Sequence, residues 1–215
     1  MRHSFPFGAF LLYMVIFLFP VIAPSTTLAQ SSAALANVPA TRSALAQKIA
    51  LAGVPNAGKI NDFLLRGAQP SNQGLAELKK LGVTTVVNLR GWSYEVESER
   101  KQAESLGLRY VNIPVSGWSP PTNEQVAQFL ALVRNSPGQK IFVHCKYGED
   151  RSGVMMAAYR IAEDNWTVEQ AIQEMDFFGF HYHWHPAMVY FVRKFPVNFA
   201  SDPVFTALRN AAVKE

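Results

Sequence analysis

Residues 140–153 read KIFVHCKYGEDRSG and contain the only cysteine of the chain, Cys145. The first five of these residues form a β-branched and aromatic run that predicts a buried strand. After the loop, apolar residues recur at the three- and four-residue spacing of one buried helix face: Val154, Ala157, Ala158 and Ile161. A strand that leads through a short loop into a helix is the building unit of α/β sheets, whose ligand crevice lies beyond the carboxyl ends of the strands. The pattern therefore places the functional site in the loop after His144.

The same alternation of strand and helix patterns runs through the rest of the chain. Further strands are predicted at residues 83–89 and 110–115, and an edge strand at 63–65. Helices are predicted at 72–81 and 94–106, after the capping-box residues Thr122 and Thr167, and from Pro186. Together these patterns predict a single α/β domain with a central, mainly parallel sheet flanked by helices.

The composition excludes several classes of protein. The chain has 215 residues, 49% of them hydrophobic, and a formal net charge of +4, which is too apolar and too weakly charged for a disordered chain. A single cysteine rules out an intramolecular disulfide and any site that needs several thiolate ligands. The basic residues are spread along the chain without a Lys/Arg run, so nucleic acid is not predicted to be a partner.

The first thirty residues predict an export signal. The chain opens with the basic start Met1-Arg2-His3, residues 8–22 are almost entirely apolar, and residues 27–29 (Thr-Leu-Ala) fit a cleavage site. We expect a signal peptide over 1–29 and a periplasmic or secreted product, with a second cleavage site at 34–36 as an alternative. A retained membrane anchor is the competing interpretation, but the apolar run is short for a span of ~20 residues. No stable membrane span is expected after cleavage.

The predicted domain boundaries follow from composition shifts. Residues 30–58 are predicted to be a Ser/Ala-rich spacer with a short helix at 44–52, which Gly53 and Pro55 would end. The main domain is predicted over 59–200 and a C-terminal tail over 201–215.

The loop around Cys145 has the residue types of an oxyanion cradle. Its backbone N–H groups and the start of the next helix provide positive potential. Gly148 permits a turn where a side chain would collide, and the planar fork of Arg151 can bind two phosphate oxygens. The same field lowers the pKa of a thiol, which makes Cys145 a candidate nucleophile, and Ser152 can hydrogen-bond the sulfur. A buried structural cysteine is the alternative, but it would not need this glycine, arginine and helix start beside it.

The pattern His-Cys-x5-Arg-Ser-Gly resembles the signature of cysteine-dependent protein tyrosine phosphatases. Further segments resemble the bacterial dual-specificity-like branch, which includes exported tyrosine phosphatases: LRGAQP at 65–70, TVVNLR at 85–90, IPV at 113–115 and WTVEQA at 166–171. The resemblance covers roughly residues 62–196. It implies a dual-specificity phosphatase-like fold and a reaction through a cysteinyl-phosphate, with no metal or organic cofactor. Sulfur-transfer domains of the rhodanese type also use a loop cysteine, but nothing in them calls for Arg-Ser-Gly.

The resemblance assigns the site residues. The catalytic residues are predicted to be Cys145, Arg151 and Asp150. Substrate binding is assigned to the remaining positions of the signature: Lys146, Tyr147, Gly148, Glu149, Ser152 and Gly153. No metal ligand is assigned. His144 is expected to orient the loop by hydrogen bonding.

The general acid is the point where the chain departs from the family. Most members place an Asp on the loop after the third strand, but residues 115–122 (VSGWSPPT) contain no carboxylate. Asp150 is the first candidate, because related phosphatases with Gly-x-Asp-Arg in the signature are thought to use that Asp. Glu149 and Glu124 are the other two. The competing interpretations are an ion pair with Arg151 for Asp150, and a helix-dipole contribution for Glu124.

The predicted function is an exported phosphatase for phosphate monoesters, most of all phosphotyrosine in a protein, with dual specificity or a small phosphoester as variants. A phosphoinositide or inositol-phosphate phosphatase is the alternative, and a catalytically weak phosphate-binding module is a third class. Residues 181–185 (HYHWH) are expected to pack near the mouth of the site, with a metal site or substrate contact as minor alternatives. Arg66 and Arg90 are expected to attract phosphate or to form surface ion pairs. The oligomeric state stays open.

Overall fold

The fold is built on a six-stranded sheet in a computed structural model that describes residues 44–211. Its strands are β1 (Gln47–Lys48), β2 (Gly58–Lys59), β3 (Leu64–Gly67), β4 (Val83–Asn88), β5 (Arg109–Asn112) and β6 (Lys140–His144). Their order across the sheet is β1-β2-β3-β6-β4-β5. Strands β3, β6, β4 and β5 are parallel to one another. At one edge of the sheet, β2 pairs antiparallel with β3, and β1 pairs antiparallel with β2. The mainly parallel sheet predicted from the sequence is confirmed. The predicted signal peptide over 1–29 lies outside the described residues.

Helices follow the strands as the sequence patterns predict. They are α1 (Asn72–Lys80), α2 (Tyr94–Ser105), α3 (Asn123–Arg134), α4 (Asp150–Glu163), α5 (Val168–Phe177), α6 (Pro186–Ser201) and α7 (Thr206–Ala211), with a 3-10 turn at Pro203–Phe205. Thr122 and Thr167 both form the predicted capping boxes, and Ser71 caps α1. Among residues 44–211 no helix is long and apolar enough to cross a membrane.

Both faces of the sheet are covered by helices. Val86 and Val87 are neighbours in β4 and are fully buried, yet they belong to different hydrophobic clusters. Side chains of successive strand residues point to opposite faces, so the two clusters mark the two faces. One cluster contains residues of α1 and α2, and the other contains residues of α3 to α6. This double covering explains why the central strands are continuous apolar runs.

The described parts of the predicted spacer and tail, residues 44–58 and 201–211, belong to the domain, which corrects the prediction for these residues. The short helix predicted at 44–52 is wrong, since this segment contains β1. Ala46 in it is buried and its N–H donates to Glu174 Oε2 at 2.8 Å. At the other end, Phe205 and Leu208 are buried in the core. The predicted main domain of 59–200 is therefore too short at both ends. At the N-terminal end the reason is that strands of two residues leave no periodicity for a sequence pattern to detect.

The predicted edge strand at 63–65 is also wrong in its position. β3 pairs with β2 on one side and with β6 on the other, so it lies inside the sheet. Its four residues are all buried. The position of β3 beside β6 places the segment after Leu65 directly next to the loop that carries Cys145.

Candidate active site

The loop after β6 turns sharply at Gly148. Gly148 has φ +72, and a Cβ there would lie 2.5 Å from the carbonyl carbon of Gly67 and 2.6 Å from the backbone nitrogen of Ala68. Both the left-handed backbone and the close approach to the end of β3 require a glycine. The predicted function of this glycine in the turn is confirmed, and the reason is contact with a neighbouring strand.

Two side chains hold the loop from its outer side. The side-chain amide of Asn56 donates to the carbonyl oxygens of Tyr147 (3.4 Å) and Gly148 (3.2 Å), and Arg66 Nη2 donates to the carbonyl of Gly148 at 2.5 Å. The C=O and N–H of a trans peptide point in opposite directions. Because Asn56 binds the carbonyl of Tyr147, the N–H of Gly148 in the same peptide points the other way, and it donates to the sulfur of Cys145. An anion bound at the sulfur can accept from such N–H groups.

Arg66 is fully buried. Of the two roles predicted for it, the surface ion pair is therefore wrong. Its guanidinium stacks on the ring of Phe178 at 4.0 Å. Burial lowers the pKa of Arg66 to about 10, although the negative charges of Glu174 and Cys145 favour its protonated form. Arg90 is different: its side chain is 13% exposed, it hydrogen-bonds Gln69, and it lies 3.9 Å from Glu95.

The Cys145 thiol is set up to ionise. Its side chain is buried, which by itself raises the pKa of the thiol. This effect is outweighed by the hydroxyl and backbone N–H of Ser152, by the charge of Arg151 and by the backbone N–H of Gly148, so the pKa of Cys145 is lowered. Ser152 Oγ is buried and has no other hydrogen-bond partner in the described protein, which leaves it free to donate to the sulfur. A lowered pKa favours the nucleophilic thiolate.

His144 orients the loop through a buried polar chain. Its Nδ1 lies 3.1 Å from the carbonyl oxygen of Cys145, and its Nε2 lies 2.8 Å from Glu99 Oε1. Glu99 also accepts hydrogen bonds from the hydroxyl of Tyr110 at 3.0 Å and from Asn88 Nδ2 at 3.3 Å. Burial, together with the Glu99 charge, raises the pKa of Tyr110, so its hydroxyl stays a donor. We call Asn56, Arg66, His144 and Glu99 the floor of the site.

A pocket of about 480 Å³ opens above the floor. It is lined by Gly117, Trp118, Cys145, Lys146, Tyr147, Asp150, Arg151, His181, Trp184 and His185. Among residues 44–211, the guanidinium of Arg151 has no hydrogen-bond or ion-pair partner, so its fork is available to a ligand. The lining includes three largely exposed Trp and Tyr side chains: Trp118, Tyr147 and Trp184. We call these three the rim.

Asp150 is the one candidate acid that lines the pocket. Its Oδ1 accepts from the backbone N–H of His181 at 2.9 Å and lies 3.2 Å from His181 Nδ1, while its Oδ2 lies 3.5 Å from His185 Nε2. Within residues 44–211 no ion pair joins Asp150 to Arg151. The interpretation of Asp150 as the partner of Arg151 is therefore not supported, and its contacts instead come from the segment between α5 and α6.

The other two candidate acids, Glu149 and Glu124, lie outside the pocket lining. Glu149 is the N-cap residue of α4 and does not line the pocket. Burial raises the pKa of Glu149, opposed by His181 and reinforced by the negative charge of Asp150. Glu124 lies in the first turn of α3 and is not among the residues that line the pocket, as expected for a contribution to the helix dipole.

The predicted substrate-binding positions fall into two groups. Lys146 and Tyr147 line the pocket. Gly148 and Ser152 instead donate hydrogen bonds to the sulfur of Cys145. Gly153 does not line it: its missing Cβ would lie 3.4 Å from the ring of Phe180, which makes it a packing position of α4.

Sequence reasoning missed two residues of this site, Asn56 and Glu99. Asn56 lies in the predicted spacer and Glu99 in a helix that was described only as charged. Asn56 has φ +49, a conformation that Asn tolerates better than most residues, and the surrounding Val-Pro-Asn-Ala-Gly is a turn sequence. That turn was a detectable signal, whereas a single glutamate in the charged helix α2 gave none.

Comparison with protein families and curated proteins finds phosphatases. A family model described as "DSP-PTPase phosphatase fused to NAD+ Kinase" matches residues 52–182. The dual specificity protein phosphatase TpbA of Pseudomonas aeruginosa is 32% identical over 128 residues, which is 58% of this chain and 55% of that protein. The chain thus spans about half the length of the curated relatives it matches.

The solved structures that resemble this chain include two of TpbA. The crystal structure of P. aeruginosa TpbA matches with a TM-score of 0.61 and 25% identity, and the match covers 81% of this chain and 100% of that chain. A TpbA structure in complex with pTyr matches with a TM-score of 0.61, 24% identity and the same coverage.

Proposed function

The chain belongs to the DSP-PTPase phosphatase family whose description includes fusion to NAD+ kinase, and from this premise we propose that it hydrolyses phosphate monoesters through a cysteinyl-phosphate. The observation that carries the proposal is the chemistry around Cys145. A buried thiol would ordinarily hold its proton, but here Ser152, Arg151 and the loop N–H groups lower its pKa. Such a thiolate lies in a pocket with the guanidinium of Arg151, which has no ion-pair partner within the described part of the chain, and it is suited to attack phosphorus.

In the first step, the Cys145 thiolate attacks phosphorus and the bond to the leaving oxygen breaks. Arg151 and the inward N–H groups of the loop bind the equatorial oxygens, where negative charge gathers in the transition state. Because Asn56 and Arg66 fix the loop carbonyls from outside, these donors are in place before substrate arrives.

Asp150 donates the proton that the leaving oxygen needs. It is the only one of the three candidate carboxylates that lines the pocket beside Cys145. The backbone N–H of His181 holds Oδ1, so the carboxyl group has a defined orientation toward the bound ester. In the second step Asp150 accepts a proton from water, the water oxygen bonds to phosphorus, and the sulfur leaves as a thiolate that the Ser152 hydroxyl stabilises.

The proposed substrate is a phosphotyrosyl side chain, with phosphoserine and phosphothreonine as further substrates. Three exposed aromatic residues form the rim, and aromatic walls bind an aryl ring better than an alkyl chain. TpbA is named a dual specificity protein phosphatase and has a structure in complex with pTyr, which supports the same class here. Lys146 at the pocket adds attraction for a phosphate dianion.

We further propose that the protein is exported and that its signal peptide is cleaved after Ala29.

The decisive experiment compares initial rates on phosphotyrosine peptide, phosphoserine peptide and inositol polyphosphates at equal concentration. We expect the highest kcat/KM on phosphotyrosine peptide and no detectable turnover for Cys145→Ser. Activity that survives Cys145→Ser would contradict the cysteinyl-phosphate. A preference for inositol polyphosphates would replace the proposed substrate, and binding without turnover would indicate a phosphate-binding module.

The acid is tested with three matched variants, Asp150→Asn, Glu149→Gln and Glu124→Gln. Asn at position 150 keeps an oxygen for the N–H of His181, so the variant removes the proton and leaves the contact. We expect Asp150→Asn to lose about 100-fold on phenyl phosphate, a poor leaving group, and much less on an activated nitrophenyl ester. Equal losses on both esters would contradict the role of Asp150, and the larger differential loss in either glutamate variant would assign the acid to it.

Export is tested separately from activity. The full chain is expressed in a Gram-negative host, the periplasmic fraction is collected, and the intact mass and N-terminal sequence of the protein are measured. We expect a mature chain that begins at Gln30. A chain that keeps residues 1–29 in the membrane fraction would indicate a retained anchor.

A further inference from the structure

We propose that Glu149, Asp150 and His181 form a binding site for one divalent transition-metal ion of the zinc class at the mouth of the pocket. The three side chains come from two places in the chain, the start of α4 and the segment between α5 and α6. One ligand atom from each lies within 4.8 Å of the others. The proposed binding does not depend on phosphatase activity.

The separations between these atoms suit a tetrahedral ion. His181 Nδ1 lies 3.2 Å from Asp150 Oδ1 and 3.7 Å from Glu149 Oε2. Bonds of about 2.0–2.2 Å from zinc to nitrogen and oxygen place neighbouring ligands of a tetrahedron about 3.3–3.6 Å apart. The two separations from His181 Nδ1 are therefore close to this range, and the third pair, Glu149 and Asp150, lies within 4.8 Å. Three protein ligands would leave the fourth position of a tetrahedron to water.

The choice of metal follows from the donor set. An imidazole nitrogen with two carboxylates suits zinc and its neighbours, whereas magnesium and calcium prefer oxygen donors alone. The ion would also offset the repulsion between two adjacent carboxylates, which in the described structure face one imidazole.

A second observation at this place is the side chain of His185. It is 9% exposed and aims Nε2 at Asp150 Oδ2, 3.5 Å away. Its Nδ1 is buried without a hydrogen-bond partner, and no other polar contact to the ring is present among residues 44–211. Carboxylates that bind a metal are themselves held by outer polar groups, and the buried imidazole of His185 is placed to orient Asp150 in this way.

Occupancy of this site affects the proposed reaction, and this consequence alone rests on the proposed function. The ion would bind the carboxylate that is proposed to carry the proton. Turnover is therefore expected to fall reversibly when zinc is bound, without any change at the sulfur.

Binding is measured first on the full chain with Cys145→Ser, so that the thiol cannot ligate the ion. Zinc is titrated against a chromophoric chelator, and cobalt is added to record its visible absorption. We expect one ion per chain and the intense absorption of tetrahedral cobalt without a thiolate charge-transfer band. His181→Ala and Glu149→Gln should each weaken binding by about 10-fold or more.

The control is His183→Ala, which removes an exposed histidine of the same segment that belongs to neither the cluster nor the pocket lining. This variant should bind zinc as tightly as Cys145→Ser alone. Equal affinity in all variants, or a cobalt spectrum of six-coordinate geometry, would overturn the site. Two independent variants are used so that a local disturbance from His181→Ala cannot mimic loss of a ligand.

Inhibition is measured second, on the chain that retains Cys145. Micromolar zinc should slow aryl phosphate hydrolysis, a chelator should restore it, and His181→Ala should resist the inhibition. Inhibition that is equally strong in His181→Ala would place the ion on the thiolate and overturn the proposed effect. If the protein proves inactive on phosphate esters, the proposed function fails while the binding measurement on Cys145→Ser still decides the metal site.

Discussion

The floor and the rim of the pocket differ in almost every physical respect. Arg66 and His144 of the floor are fully buried and contact the backbone of the loop, whereas Trp118 and Trp184 of the rim are 73% and 69% exposed. Polar contacts join the buried floor side chains to the loop backbone and to each other, although Nε and Nη1 of Arg66 have no hydrogen-bond partner among residues 44–211. Exposed aromatic side chains can reorient at little cost. The comparison assigns the positioning of the catalytic loop to the floor and the adaptation to substrate to the rim.

The strongest test concerns the loop that the floor holds, and the variant is Gly148→Ala. The added Cβ would overlap the backbone of Gly67 and Ala68, which cannot move without shifting β3. The loop would open and its N–H groups would no longer converge, so we expect kcat/KM to fall by about 100-fold or more, as on loss of an oxyanion donor. Steady-state rates on aryl phosphate measure this loss.

The matched control is Gly138→Ala. Gly138 has φ +71, almost the same as the +72 of Gly148, but a Cβ there meets nothing within 4 Å. It should cost about 1–2 kcal/mol of stability from the left-handed backbone and leave kcat/KM unchanged. An equal loss of activity in both variants would show that backbone strain, and not the contact with β3, explains the effect.

The second test is Arg66→Met, which keeps the buried chain and removes the charge and the donor. Arg66 and the Cys145 thiolate attract each other, so loss of the charge raises the pKa of the thiol. Alkylation of Cys145 by iodoacetamide should become slower at neutral pH, and the rates of the two proteins should converge at pH values above both thiol pKa values. Turnover should fall by about 10-fold or more, because the loop loses a fixed carbonyl.

Arg109→Met is the control for charge alone, because Arg109 is exposed on the edge strand β5. Its alkylation profile should match that of the unaltered chain. A profile of Arg66→Met that also matches would mean that the thiol ionises without help from the floor.

The third test is Asn56→Gly, which relieves the positive φ of this position and removes only the side-chain amide. Asn56 also donates to the carbonyl of Phe178 at 3.0 Å, so it joins the loop to the end of α5. We expect a loss of about 1–2 kcal/mol in the free energy of unfolding. A drop in kcat/KM of about 5-fold should accompany it, because the loop loses the hydrogen bonds from Asn56 and keeps the one from Arg66. Chemical denaturation and steady-state kinetics give the two values, and an unchanged kcat/KM would contradict the role of Asn56 in holding the loop.

The smallest effects are expected at the rim. Trp118→Ala and Trp184→Ala should each raise KM for phosphotyrosine peptide by about 2- to 10-fold with little change in kcat, because aromatic contacts contribute about 0.5–1.5 kcal/mol. Trp92→Ala is the control, since Trp92 is 82% exposed and does not line the pocket. A rim variant that lowers kcat as strongly as Arg66→Met would remove the distinction between floor and rim.

The elements nearest to Cys145 could be predicted well from the sequence. β6, the loop and α4 follow one another directly in the sequence. The capping boxes at Thr122 and Thr167 each depend on residues only three positions apart. The segment at 44–58 could not, because β1 and β2 have two residues each and are stabilised by pairing with neighbours that are distant in the sequence. The candidate acid Asp150 was found from the signature, but its contacts with His181 and His185 were not.

The sequence by itself determined which residues can do the chemistry: a single cysteine, an arginine at the start of a helix, and a glycine where the backbone must turn. These properties are local, since they depend on residue type and on neighbours within a few positions. The tertiary structure decided what surrounds them. Asn56 and Arg66 lie 92 and 82 positions before the loop residue that both contact. They reach it because β3 pairs with β6, and strand order depends on the packing of the whole sheet and on no local pattern.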